Sequence, residues 1–81
     1  MNREEIEQKI NTLFRGMPSK RRIAFELLEL ARQGIKSPKG GLWTLFKHTN
    51  HANKYASVWY KHARYVLAQL PELAQELGVE I

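Results

Sequence analysis

Cysteine is absent from this 81-residue chain. That excludes a disulfide framework, a cysteine-based zinc finger and a thiol nucleophile, and it fits a reducing compartment. Proline and glycine are sparse, at 3 and 5 residues, too few for a disordered or fibrous chain. No apolar run approaches the ~18 residues of a membrane span. The start, Met1-Asn2-Arg3-Glu4-Glu5, lacks the apolar stretch of a signal peptide, so a cytoplasmic location without membrane partners is expected. Acidic residues are missing altogether between Ile35 and Leu70. Strand-like alternation is missing too, as are internal repeats.

What is present is a single small domain with a net charge of +5. The charge is unevenly spread. Residues 1–19 balance three bases against three acids; residues 20–64 hold ten Lys and Arg against Glu26 and Glu29; residues 65–81 carry Glu72, Glu76 and Glu80 and one net sign. A field of this kind attracts polyanions, and nucleic acid is the commonest of them.

Helical spacing runs through the whole chain and predicts an all-α fold, a small orthogonal bundle of four to five helices. The first helix covers 3–15, with Asn2 as cap, Glu5 at the capping-box position and Ile6, Ile10, Leu13, Phe14 and Met17 in one apolar stripe. The second covers 19–33, with Ile23, Ala24, Leu27, Leu28, Leu30 and Ala31 inward and Arg22, Glu26, Glu29 and Gln33 as its polar ridge. Gly34 and Ile35 read as a Schellman ending. A basic turn, 36–41, precedes a short third helix at 42–48. Asn50 reads as the cap of a long fourth helix, 51–69, which stops before Pro71. A last short helix, 71–77, places Leu73 and Leu77 over the core. Its acids could alternatively fold over the basic face.

The fourth helix carries the functional expectation. Ala52, Ala56, Trp59, Ala63, Val66 and Leu70 recur at 4, 3, 4, 3, 4 and predict one buried line. Opposite them lie Lys54, Ser57, Lys61 and Arg64, with Asn50 and Asn53 at the N-terminal end. Asn can pair with an adenine edge, Lys and Arg with guanine, and further cations with phosphates, which is the chemistry of a helix in a major groove. The order of elements around Val58-Trp59-Tyr60-Lys61-His62-Ala63-Arg64 resembles the trihelical homeodomain-like arrangement over residues 20–70, with His62 where that family has an asparagine. The resemblance is one of architecture. It implies a helix-turn-helix-like centre, an anchoring Trp59, and Lys54, Ser57, Lys61 and Arg64 facing DNA.

Lys20-Arg21-Arg22 oppose the dipole at the start of the second helix, a placement that an incoming phosphate would relieve. Lys36 and Lys39, beside Gly40-Gly41, could grip a second phosphate, and Lys47 extends the basic zone. Six to eight such contacts imply a log–log salt slope of about −5 to −7. His48, His51 and His62 would add charge below about pH 6.5. His51 and His62 are too far apart along a helix to share a metal, and neither a metal nor another cofactor is expected. Trp43, Tyr55, Tyr60 and Tyr65 read as half-buried packing, with base stacking as the alternative. No acid–base pair, nucleophile or nucleotide-binding loop is evident, so catalysis is not expected.

The resulting expectation is a non-enzymatic DNA-binding protein, such as a transcription regulator, with DNA favoured over RNA. The alternative is an interaction module or inhibitor that uses the same strip on an acidic protein. The stripe Ile6, Ile10, Leu13 and Phe14 is a candidate homodimer face.

Overall fold

The computed structural model describes residues 1–80. Five α-helices, α1 (Arg3–Leu13), α2 (Pro18–Arg32), α3 (Trp43–Lys47), α4 (Ala56–Gln69) and α5 (Pro71–Leu77), account for the regular structure, and the described residues contain no strand. No helix among them is long and apolar enough to cross a membrane.

Local sequence explains most of the helix ends. Asn2 Oδ1 accepts from the Glu5 backbone N–H at 3.1 Å, while the Glu5 carboxylate lies 3.9 Å from Lys9 Nζ rather than closing the box on Asn2. Pro18 occupies the first position of α2, where a missing N–H costs nothing. At the other end Gly34 takes φ +80°, and the Gly34 and Ile35 N–H groups donate to Ala31 and Leu30 O, each at 3.0 Å. Ile35 folds back onto the core, completing the Schellman ending. Gly78 repeats the device after α5, with Val79 N–H donating to Ala74 O at 2.9 Å.

The α2 helix is the hub, packing against α1, α4 and α5. Its six inward residues are all buried. They meet Ile6, Ile10 and Phe14 of the α1 region, Leu45 and Phe46 of α3, Trp59, Ala63, Val66 and Leu67 of α4, and Leu73 and Leu77 of α5. Burial of Ile6, Ile10 and Phe14 within this core leaves only Leu13 of that stripe exposed, so the stripe is not a free dimer face. The C-terminal segment closes the bundle. Ser37 N–H donates to Leu77 O at 2.8 Å and Glu80 N–H to Gly40 O at 3.0 Å.

The fourth helix departs from expectation. It begins at Ala56, five residues later than the apolar spacing predicts, after a 3₁₀ turn at Asn53–Tyr55. Asn50 is not a helix cap. It sits in the joint at φ +65°, a left-handed conformation that asparagine tolerates better than most residues. Ala52 is extended and exposed, outside the buried line. The reason is tertiary. The His51 imidazole is drawn to Glu26 on α2, with Nε2 to Oε2 at 2.7 Å, and stacks against Phe46 with ring centroids 6.3 Å apart. A helical path through residue 51 would forgo both contacts.

Glu26 is therefore not an outer-ridge residue. Its second oxygen accepts from the Trp59 indole N–H at 2.9 Å, so one half-buried carboxylate ties α2 to the joint and to the largest side chain of the core. Removing it orphans the buried indole donor. Glu26→Ala is expected to lower unfolding free energy by about 2–3 kcal/mol. Glu26→Gln, whose amide oxygen can still accept from the indole N–H, is expected to cost less. Urea denaturation of both variants checks the order.

Candidate functional site

Helix geometry separates the two sides of α4. Trp59, Ala63 and Val66 face the core, and Ser57, Lys61, Arg64 and Ala68 project on the opposite side, all exposed. Lys54 is exposed as well, but on the 3₁₀ turn, and Asn50 and Asn53 lie exposed in the joint. None of these three belongs to the regular α4 face. The expected strip is thus a shorter helical ridge with Lys54 approaching it from the turn.

Tertiary packing places one further cation beside this ridge. Lys20, in the first turn of α2, holds its ammonium 5.1 Å from the Tyr65 ring centre, and it lines a hollow with Met17, Pro18 and His62. On the opposite flank, the Arg64 guanidinium lies 5.4 Å from the Tyr60 ring centre and borders a hollow with Gly40, Gly41 and Leu42. Lys61 projects between them. None of Lys20, Lys54, Lys61 and Arg64 forms an ion pair among the described residues. The pairs that do form involve Lys9 with Glu5 and Glu72 and Arg32 with Glu29, while His51 and Glu26 share a hydrogen bond. Arg32 and Gln33 both donate to Glu29 and hold its carboxyl at a pKa of about 2.

The basic start of α2 divides, because successive helical residues differ by about 100°. Lys20 turns to α4. Arg21 turns to α1, where its Nε and Nη2 donate to Asn11 Oδ1 at 3.0 and 2.8 Å and its guanidinium lies over Phe25. Arg22 is exposed beside Arg21 in a hollow with Phe14 and Phe25. The structure therefore brings one member of the trio to the ridge, not three.

The 36–41 turn is also partly committed. Lys36 Nζ donates to Glu76 O at 2.9 Å, a cation on the C-terminal carbonyls of α5. Ser37 Oγ donates to Gly41 O at 2.6 Å. The Glu80 side chain packs on Gly40 so closely that a Cβ there would meet it at 2.9 Å. An anion thus already stands at the turn expected to hold a second phosphate. Lys39 remains exposed, as does Lys47 on α3. Glu80 also lines the hollow that Arg64 borders, so one tail carboxylate stands beside the ridge, whereas Glu72 pairs with Lys9 at 3.1 Å.

His62 reports the local field. Burial first, and then Lys20 and Lys61, push its pKa below the ordinary imidazole value. Its Nδ1 is shut from solvent without a hydrogen-bond partner. The expectation that His62 adds charge below about pH 6.5 moves to lower pH: burial, and then the two neighbouring cations, disfavour the protonated imidazole. Tyr55 and Tyr60 are half-buried against the core, whereas Trp43 and Tyr65 stand 47 and 41% exposed.

Sequence reasoning missed Glu26 as a buried-side acceptor. A signal existed, since its i−3 and i+4 neighbours Ile23 and Leu30 are both apolar and set it at the edge of the inward arc, while Trp59 needs an acceptor once buried. The apposition of Lys20 with α4 left no local signal.

Comparison with protein-family models, curated proteins and solved structures returns no match.

The pH response of His62 follows from its surroundings. A folded pKa below the unfolded value means that the unfolded chain binds the proton more readily. Stability is fully present above about pH 6.5 and declines as pH falls from there through the lowered folded pKa. His62→Leu is expected to flatten this part of the profile. Urea midpoints at pH 5 and 7.5 for both proteins check it, and the difference between them removes the contribution of groups common to both.

Proposed function

We propose that this protein is a non-enzymatic nucleic-acid-binding domain whose contact surface is the outward ridge of α4. The observation that carries this reading is the set of four cations, Lys20, Lys54, Lys61 and Arg64, that form no ion pair among the described residues and stand on and beside one helix whose opposite side is buried. A solvated helix ordinarily mixes signs to gain i,i+4 pairs. Here like charges stand together at a cost that a run of phosphates would remove.

In the proposed arrangement α4 lies in a groove of duplex DNA, and Ser57, Lys61 and Arg64 approach base edges or phosphates. Lys20 and Lys54 hold the backbone, with Asn50 and Asn53 on the leading joint. The helix-turn-helix-like reading of α2, α3 and α4 rests on element order and on Trp59 as the buried anchor. Arg21 and Lys36 already have protein partners, so fewer phosphates are engaged than the charge count suggests. About four contacts give a log–log salt slope of about −4.

A second reading has its own support. Met17, Val58 and Tyr65 are exposed large apolar side chains, the last two on α4 beside the ridge. An acidic protein face would use them together with the cations. The two readings part on duplex binding at low salt.

Reversing Lys54, Lys61 and Arg64 to Glu is expected to weaken duplex binding at least 100-fold at low salt, a conservative bound for the loss of about three phosphate contacts and the introduction of repulsion. Circular dichroism should stay unchanged, since all three side chains are exposed. Undiminished binding in fluorescence anisotropy would overturn the reading. Glu80→Gln is expected to tighten the same binding by severalfold or less, by removing the carboxylate beside Gly40.

A further inference from the structure

Trp43 is a large indole left 47% exposed at the first position of a five-residue helix. One side of it lies against the Phe46 ring, centroids 5.7 Å apart and planes tilted by 32°. Phe46 is itself buried and packs on Trp59 at 5.4 Å, so the indole rests on the core rather than waving from a loop. Its neighbours in sequence are cationic and free of acid, and the one carboxylate nearby in the fold is Glu80, which packs on Gly40 and lines the same hollow as Arg64. Lys47 stands one turn further along α3 and is exposed like Trp43, Lys39 is exposed on the turn before it, and Arg64 borders the hollow formed by Gly40, Gly41 and the adjoining Leu42. Phe46 also touches Tyr60, over whose ring Arg64 lies, which links the indole to the α4 ridge through two aromatic contacts.

We propose that Trp43 is a stacking platform for an unpaired nucleobase, so that the preferred ligand is a single strand, or a duplex with a frayed or extruded base, rather than intact duplex alone. This inference rests on the nucleic-acid reading of the ridge and specifies the class of nucleic acid. A rigidly backed aromatic face between cations is the arrangement by which single strands are held: the cations follow the phosphates, and the ring takes a base of any identity. A lipid surface suits the site less well. The exposed side of α3 offers one apolar group flanked by Lys47, not an apolar stripe.

The test compares two probes of equal charge in fluorescence anisotropy at low salt, a mixed-sequence single strand of about twelve nucleotides and an abasic strand of the same length, and adds vesicles of anionic phosphatidylglycerol as a third, lipid probe. Trp43→Ala is expected to weaken binding of the base-bearing strand about tenfold, corresponding to one lost stack, and to leave the abasic strand within about twofold. Trp43→Phe is expected to retain part of the difference. Equal effects on both strands, or no effect on either, would overturn the stacking role. So would an indole-dependent association with vesicles and not with the base-bearing strand. The ridge variant with Lys54, Lys61 and Arg64 reversed separates the two levels. If wild type binds and only that variant loses binding, stacking alone fails; if wild type binds no strand or duplex, the ridge reading fails and this inference with it.

Discussion

The Glu26 carboxylate accepts one hydrogen bond from the Trp59 indole and one from the His51 imidazole, and both consequences reach the surface of the molecule. Trp59 fixes the rotation of α4 about its own axis, because a fully buried indole with a satisfied N–H has one acceptable orientation. His51 fixes where α4 starts, because the joint must bend to bring the imidazole to α2. Together they determine which residues of the 50–69 segment face outward and on what kind of backbone. The ridge of Ser57, Lys61 and Arg64 is the far side of that anchor.

Charge and packing act in concert around the anchor. Cations with local partners are neutralised: Lys9 between α1 and α5, Arg32 within α2, Arg21 on Asn11, and Lys36 on the carbonyl end of α5. Those on the ridge are not. The depressed basicity of His62 has burial as its first cause, and Lys20 and Lys61 add to it from two different helices. Like charges that converge on one surface without local partners cost the free protein some stability.

The closure of the fold by its tail gives the 36–41 turn a structural duty. Ser37 and Gly40 form a small backbone-bonded seam with Leu77 and Glu80, and a Cβ on the neighbouring Gly78 would come within 3.0 Å of Ser37 O. A turn read from composition as a phosphate grip is thus chiefly a latch for α5, with Lys39, unlike the hydrogen-bonded Lys36, exposed and in no ion pair among the described residues. Trp43 follows this latch directly, so its exposed indole stands on a braced segment.

Periodicity and capping chemistry in the chain determine the all-helical class, the inward faces of α2 and α4, the Schellman ending at Gly34 and Ile35, and α5 with Leu73 and Leu77 over the core. Each depends on residues within one or two turns of one another, whose spacing is readable. Only the tertiary structure decides the start of α4, the inward turn of Glu26, the apposition of Lys20 with Tyr65 of α4, and the exposure of Trp43. These depend on partners distant in sequence: Glu26 lies 25 residues from His51 and 33 from Trp59. Local spacing extends the apolar line back through Ala52. A carboxylate and an aromatic ring on other helices break it, since two tertiary contacts outweigh the small helical preference of the joint.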